Sequence, residues 1–193
     1  MKSITIFCGS SSGMDALFHR TATETGHTLA ERSITIVYGG AKIGLMGAVA
    51  DGALSRGGRV IGVMPGFLKA KEIAHGGLTE LITSETMHER KVKMHELSDG
   101  AIALPGGFGT MDELFEMLTW GQLGLHAKPI ALLNVGGFYD PLIEQLARMT
   151  EHGFMKEESR SMLLVGDTIH SVLSQMEAYK APEICKWITQ EKI

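Results

Sequence analysis

The chain has 193 residues, of which 44% are hydrophobic and 21% are charged, as expected for one globular domain with a sizeable core. A formal net charge of −4 and the absence of a basic run argue against nucleic acid and anionic membranes as partners. The sequence shows no apolar run of the ~20 residues that a membrane span needs, no signal-peptide pattern and only two cysteines, Cys8 and Cys185, so it favours a reducing cytoplasm.

Short apolar runs alternate with helical patterns along the whole chain. The predicted strands are, in order, Ile4–Cys8, Ile34–Tyr38, Arg59–Val63, Ala101–Leu104, Pro129–Leu133 and Met162–Val165. The predicted helices cover about 15–32, 44–56, 85–97, 111–122, 140–152 and 168–179. Residues 67–83, between the third strand and the third helix, are predicted to be irregular.

This alternation predicts a doubly wound α/β domain. The strands are continuous apolar runs rather than alternating ones, which indicates a parallel sheet with helices on both faces. We assign residues 1–181 to a single domain and residues 182–193 to a tail that is predicted to be helical. Ligands of such sheets bind beyond the carboxyl ends of the strands.

Three glycine-rich turns follow predicted strands and are expected at that edge of the sheet: Gly9–Gly13, Gly39–Gly44 and Gly106–Gly109. None has the strict dinucleotide spacing, and no acidic residue near the end of the third strand is placed to bind a ribose 2′-hydroxyl. The P-loop pattern is also absent. The turns therefore favour a phosphate ligand of mononucleotide size over a nicotinamide or flavin cofactor.

The stretch from Pro105 to Glu113 combines a strand end, a glycine turn and a helix start. Glycines allow close approach of a ligand, and a helix start offers free N–H groups to phosphate. One alternative is a capping box, with Thr110 as N-cap and Glu113 three residues later. A cap does not need three preceding glycines, so we favour a ligand loop with a carboxylate beside it.

Arg90 lies on the apolar stripe of its predicted helix, together with Met87, Met94 and Leu97. A guanidinium in that position needs an anionic partner. On a structural interpretation, Arg90 forms a salt bridge or extends its aliphatic stem so that the charged end reaches solvent. On a functional interpretation, it binds a phosphate or a catalytic carboxylate with both nitrogens. Lys91 adds positive potential next to it.

The helix that follows the glycine loop is apolar on two sides. Met111, Leu114, Phe115 and Leu118 are expected to pack on the sheet, whereas Met117 and Trp120 lie on the side of Glu113. Glu116 also lies near that side. It is either a solvated residue of the helix surface or part of the site, and the sequence does not favour one over the other. A helix apolar on two sides suggests a covering subunit, which would place the site near a dimer interface.

The eight histidines show no metal-ligand spacing, and no nucleophile elbow is present, so neither a catalytic metal nor a serine nucleophile is predicted.

Two motifs together resemble those of the LOG (Lonely Guy) family of cytokinin riboside 5′-monophosphate phosphoribohydrolases, which are often labelled lysine decarboxylases. The first motif is Met87-His88-Glu89-Arg90-Lys91, and the second is Pro105-Gly106-Gly107-Phe108-Gly109-Thr110-Met111-Asp112-Glu113. The similarity extends over Cys8–Ser11, Tyr38–Gly40, Gly44–Gly47, Thr119–Gly124 and Lys128-Pro129. One departure is Ala41, where the family commonly has a third glycine.

The resemblance implies a Rossmann-like homodimer without a cofactor that cleaves the N-glycosidic bond of an adenosine 5′-monophosphate, with or without an N6 substituent. It implies Arg90 and Glu113 as the catalytic pair. It also implies nucleotide contacts from Lys91, Gly107–Thr110, Thr119 and Glu72. The full set of substrate-binding residues that we predict is Gly9, Ser10, Gly39, Gly40, Gly44, Glu72, Met87, Lys91, Pro105, Gly106, Gly107, Phe108, Gly109, Thr110, Glu116 and Thr119.

The chemistry of glycosidic cleavage fits these residues. The transition state resembles an oxocarbenium ion, and a fixed carboxylate such as Glu113 stabilises the cation, holds the ribose hydroxyls or orients water. A decarboxylase would need pyridoxal phosphate on a Schiff-base lysine, and no lysine is singled out for it. Two alternatives stay open: an AMP nucleosidase with little N6 preference, and a nucleotide-binding or sensing protein without turnover.

Overall fold

A computed structural model of the chain describes residues 1–69 and 74–182, and these residues form one seven-stranded parallel sheet. The strands are β1 (Ser3–Phe7), β2 (Thr35–Tyr38), β3 (Val60–Pro65), β4 (Glu80–Ser84), β5 (Ala101–Ala103), β6 (Ile130–Leu133) and β7 (Leu163–Gly166). Their order in the sheet is β4-β3-β2-β1-β5-β6-β7, and every pairing is parallel. The predicted doubly wound α/β fold is confirmed.

Helices cover both faces of this sheet. They are α1 (Ala16–Glu31), α2 (Gly44–Ser55), α3 (Gly66–Lys69), α4 (Met87–Glu96), α5 (Phe108–Gln122), α6 (Asp140–Glu151), α7 (Glu157–Arg160) and α8 (Ile169–Ala178), with a short 3₁₀ turn at Val135–Gly137. Apolar side chains of α1, α2 and α8 bury one face, and those of α4, α5 and α6 bury the other. Each apolar strand is therefore covered on both sides, which explains its continuous hydrophobic sequence.

The prediction that residues 67–83 are irregular is wrong for β4. Glu80–Ser84 pairs along its whole length with β3, from Ile61 opposite Glu80 to Pro65 opposite Ser84. This strand lies at the edge of the sheet, and most of its side chains are exposed or half-buried. An edge strand needs no continuous apolar run, so its sequence does not carry the signal that identified the other strands.

The start of α5 also differs from the prediction. The helix begins at Phe108, and its N-cap is Gly107, which makes no side-chain capping bond. Thr110 is thus inside the first turn, Glu113 is the sixth helical residue, and the capping-box interpretation of these two residues is wrong. A capping pattern does occur at α4, where Thr86 accepts a hydrogen bond from the Glu89 amide at 3.0 Å.

The strand order creates the position of the site. β1 and β5 are neighbours at the centre, and the chain runs outward from them in opposite directions, so a crevice opens beyond their carboxyl ends. Within residues 1–69 and 74–182, no helix combines the length and the apolar character needed to cross a membrane. The predicted helical tail lies outside the described residues from position 183 onward.

Candidate active site

An ion pair between Arg90 and Glu113 lies at the carboxyl edge of the sheet. Nη2 of Arg90 is 2.9 Å from Oε1 of Glu113, and the two side chains are only 11% and 10% exposed. Arg90 belongs to α4 and Glu113 to α5, so the ion pair joins two different helices. The structure thus supplies the anionic partner that the sequence required for Arg90.

Two backbone features hold the Arg90 guanidinium in place. Its Nε donates a hydrogen bond to the carbonyl oxygen of Val63, in the second half of β3, at 3.1 Å. Its Nη2 lies against Gly39, where a Cβ atom would overlap with it. The flat guanidinium therefore contacts three separate elements, and a side chain at position 39 would displace it.

Burial sets the ionisation of Glu113. Desolvation raises the pKa of this carboxyl group above its ordinary value, and the neighbouring Asp112 adds to the effect, while Arg90 and Lys91 oppose it. The buried thiol of Cys8 is a further neighbour, and burial together with the charge of Glu113 raises the pKa of that thiol. A carboxylate with a raised pKa and a fixed cationic partner is the kind of group found at catalytic sites.

Lys91 forms a second cluster of charges beside the pair. Its Nζ lies 2.9 Å from Oε1 of Glu116 and 3.2 Å from Oδ2 of Asp112. Burial lowers the pKa of Lys91, but the hydrogen bonds to Glu116 and Asp112 outweigh burial and raise it. Because a Schiff-base lysine must lose its proton, Lys91 is unsuited to hold pyridoxal phosphate.

The glycine loop before α5 contains two kinds of glycine. Gly106 is required by packing, since a Cβ atom there would overlap with the side chain of Thr110. At Gly107 and Gly109, by contrast, no atom of the described chain lies within 4 Å of the place that a Cβ would take. The chain itself does not require glycine at these two positions, which open towards space at the free N–H groups of a helix start.

The other two glycine turns meet this loop. The Gly9 amide donates to the Pro105 carbonyl at 3.0 Å, and the Gly9 carbonyl accepts from the Leu45 amide at 3.1 Å, at the start of α2. Gly44 has φ +60°, and a Cβ there would overlap with the backbone of Ser10. The Gly9 carbonyl thus binds the amide groups at the start of α2, whereas the start of α5 stays open to a ligand.

A cavity of ≈ 290 Å³ lies beside the converging turns, close to the lower end of the roughly 300–1,000 Å³ that small-ligand sites occupy. Its walls include Ser10 and Gly107 and the rings of Phe18 and Phe138, whose centroids are 5.7 Å apart in an edge-to-face arrangement. Neither aromatic residue was predicted as a site residue, because neither belongs to a recognisable motif.

The other predicted substrate-binding residues differ in exposure and in their position relative to the ion pair. Phe108 is 97% exposed at the first position of α5, Pro105 is buried, and Met87 is exposed at the start of α4. Thr119 lies on the outer side of α5, away from the Arg90–Glu113 pair, and its hydroxyl donates to the Phe115 carbonyl at 2.7 Å. Glu72 lies outside the described residues.

Met117 and Trp120 do lie on the side of Glu113, together with Phe7 and Lys91. That side packs on the chain's own sheet, where Met117 is buried. Phe115 and Leu118 are half-buried and line a groove on the outer side of α5, and Leu118 also packs against the core as predicted. In the described part of the chain, no group of three or more His, Cys, Asp or Glu side chains is arranged to hold a metal ion.

Comparison with protein families gives a match over residues 46–176 to the family described as "Possible lysine decarboxylase". A probable cytokinin riboside 5′-monophosphate phosphoribohydrolase of Oryza sativa subsp. japonica is 46% identical over 176 residues, which are 91% of this chain and 79% of the relative. The cytokinin riboside 5′-monophosphate phosphoribohydrolase of Rhodococcoides fascians is 43% identical over 178 residues, which are 92% of this chain and 90% of the relative.

Among solved structures, the molybdenum cofactor binding protein of Rippkaea orientalis has the same fold, with a TM-score of 0.70. The alignment covers 92% of this chain and 97% of that protein, but only 20% of the residues are identical. At that identity the similarity concerns the architecture of the sheet and its helices, and a shared ligand does not follow from it.

Proposed function

Because this chain belongs to the LOG family, we propose that it hydrolyses the N-glycosidic bond of N6-modified adenosine 5′-monophosphates, releasing the free base and ribose 5-phosphate. The observation that carries the proposal is the Arg90–Glu113 ion pair at 2.9 Å beside an open glycine loop. A protein that only binds a nucleotide gains nothing from a carboxylate next to the phosphate. A hydrolase that stabilises a cationic ribose needs one.

In this reaction the C1′–N9 bond breaks, its electron pair leaves with the base, and the oxygen of water bonds to C1′. The base takes up a proton, and water supplies one. Positive charge develops on the ribose as the bond breaks, and the Glu113 carboxylate stabilises that charge and orients the water. Arg90 keeps the carboxylate ionised and fixes its direction, since Nη2 holds one of its oxygens.

The decisive experiment is to incubate the purified protein with AMP, with N6-isopentenyl-AMP and with adenosine, and to quantify free base and ribose 5-phosphate by chromatography. We expect equal amounts of both products from the nucleotides, faster release from the N6-modified one, and little release from adenosine, which lacks the 5′-phosphate. Binding of the nucleotides without any release of base would identify a nucleotide-binding protein and overturn the proposal.

Gly109→Val tests whether the glycine loop binds the 5′-phosphate. The chain leaves space around a side chain at this position, so we expect an unchanged fold and a KM for the nucleotide that rises about 10-fold or more, because the side chain enters the ligand's space. KM and thermal unfolding are the measurements. The control is Ser174→Val, at an exposed position of α8, and an unchanged KM in Gly109→Val would contradict phosphate binding by this loop.

A second copy of the chain is proposed to cover the outer side of α5. There an apolar groove of ≈ 250 Å³ runs between α5, α6 and α7 and includes Leu118, Thr119 and Phe154, and Phe154 is 88% exposed. Thr119, to which the family resemblance gives a nucleotide contact, lies in this groove and not at its own chain's ion pair. A partner seated on the groove would bring Thr119 to a neighbouring site.

The dimer predicts a mass in solution of twice the chain's 20.9 kDa, as measured by light scattering after gel filtration. Phe154→Asp should give the monomer, because a charge on an apolar interface is costly. Met14→Asp, at another fully exposed apolar residue, should leave the mass unchanged. A wild-type monomer at all concentrations would remove the dimer from the proposal.

The cytoplasm is the proposed location. Cys8, the residue after β1, is a free and buried thiol, and free thiols persist in a reducing compartment.

A further inference from the structure

His75 is a buried polar residue that the proposed reaction does not use. Its side chain is 5% exposed, and both ring nitrogens have partners. Nδ1 accepts a hydrogen bond from the Gly77 amide at 3.0 Å, and Nε2 lies 2.9 Å from Oδ1 of Asp51, on α2. Because Nδ1 accepts, the proton of the neutral ring is on Nε2 and is donated to Asp51.

The backbone of His75 connects this residue to the glycine turn after β2. Its amide donates to the Gly40 carbonyl at 2.9 Å, and a β-bridge pairs Ala41 with Ala74. The hydroxyl of Tyr38 holds the same turn from within the core, by donating to the Ala41 carbonyl at 3.2 Å. The turn is therefore fixed on two sides, and His75 is the outer support.

That turn is also the surface on which Arg90 rests. Gly39 contacts Nη2 of Arg90 so closely that no Cβ atom fits between them, and the same Nη2 binds Glu113. Gly40, with φ +78°, is the next residue in the turn. A shift of Gly39 and Gly40 would consequently change the position of the guanidinium and its distance from the carboxylate.

We propose that His75 is a positioning residue that holds Arg90 against Glu113 through the Gly39–Gly40 turn, with Asp51 fixing the ring. This inference deepens the proposed function, because it adds a residue to the support of the catalytic pair. It also concerns the ion pair itself, which exists whether or not the nucleotide is cleaved. Besides Arg90, the charged groups that act on Glu113 are Asp112 and Lys91, and Glu113 in turn acts on the neighbouring thiol of Cys8.

The test compares His75→Ala, His75→Asn and Asp51→Ala with the wild type, and uses His170→Ala, at an exposed histidine of α8, as the control. Asparagine at position 75 can still accept the amide two residues on, but it does not reach Asp51. We expect kcat to fall about 10-fold or more in His75→Ala, with KM within about two-fold of the wild type, because a small displacement of a catalytic group affects chemistry more than binding. Smaller losses are expected in His75→Asn and Asp51→Ala.

The second readout is the pKa of the Glu113 carboxyl group, followed by ¹³C NMR on glutamate-labelled protein and assigned with Glu113→Gln. Since Arg90 lowers this pKa, looser pairing in His75→Ala should raise it, and the acid limb of the kcat/KM profile should move to higher pH by the same amount. A role in stability alone would lower the amount of active protein and leave both values in place, and that result would overturn the inference.

The two proposals fail differently. A wild-type protein that releases no base would overturn the proposed function, but the NMR titration would still report whether His75 supports the Arg90–Glu113 pair. Unchanged kcat and an unchanged Glu113 pKa in His75→Ala would overturn the inference and leave the hydrolase in place.

Discussion

Glu113→Gln is expected to lower kcat for base release by about 10³-fold or more, with the fold intact. The amide has nearly the same shape as the carboxylate and still accepts a hydrogen bond from Nη2 of Arg90, but it carries no negative charge. A charge that meets a developing cation in a buried site is worth several powers of ten in rate. The measurement is steady-state release of base, with circular dichroism to check the fold.

Glu113→Asp separates charge from position. It keeps the carboxylate but moves it back by one methylene group, away from Arg90. We therefore expect a kcat below that of the wild type and above that of Glu113→Gln. Activity within about two-fold of the wild type in Glu113→Gln would exclude Glu113 as the catalytic carboxylate. A loss that coincides with unfolding would be detected by circular dichroism, and Glu113→Asp would then decide the matter.

The pH dependence of the wild-type protein's stability has a predictable sign at Glu113. The pKa of Glu113 is raised on folding, mainly by burial, so the folded protein holds this proton more tightly than the unfolded chain does. The free energy of unfolding therefore falls as the pH rises from the ordinary glutamate pKa through the raised one. Glutamine cannot ionise, so this loss of stability with rising pH is expected to be absent in Glu113→Gln.

Arg90→Ala is expected to reduce kcat/KM by about 10²-fold or more and to move the acid limb of its pH profile to higher pH. Without the guanidinium, nothing at that position opposes the desolvation of Glu113, whose pKa rises further. More of the carboxyl group is then protonated at a given pH, so the variant needs a more alkaline solution to reach its own maximum. The measurement is the rate of base release over the pH range.

Arg90→Lys is the matched variant for geometry. Lysine keeps the positive charge, but it cannot bind the Val63 carbonyl and Glu113 together as the planar guanidinium does at 3.1 and 2.9 Å. We expect an acid limb close to that of the wild type and a reduced kcat. If the limb of Arg90→Ala stayed where it is in the wild type, Arg90 would not control the ionisation of Glu113.

The hydrophobic pattern of the sequence predicted most of the strands and helices. Runs such as Ile4–Cys8 and Ile34–Tyr38 are covered on both faces, and burial on both faces requires continuous apolar sequence. The same reasoning failed at Glu80–Ser84, because this strand lies at an edge and is covered only in part. The capping-box alternative at Thr110 is wrong for a different reason, since the helix begins at Phe108 and its N-cap is Gly107, which has no side chain to cap it.

For the site, the sequence by itself determined which residue types are available: an arginine on an apolar helical stripe, and a carboxylate after a glycine turn. Both follow from local order along the chain, which fixes helix faces and turn positions. Only the tertiary structure decided that Arg90 reaches Glu113, that the Val63 carbonyl and Gly39 hold the guanidinium, and that Thr119 lies elsewhere. Those contacts join separate helices and strand ends, whose distances depend on how the sheet is ordered and how the helices pack on it, and a backbone carbonyl leaves no mark in the sequence.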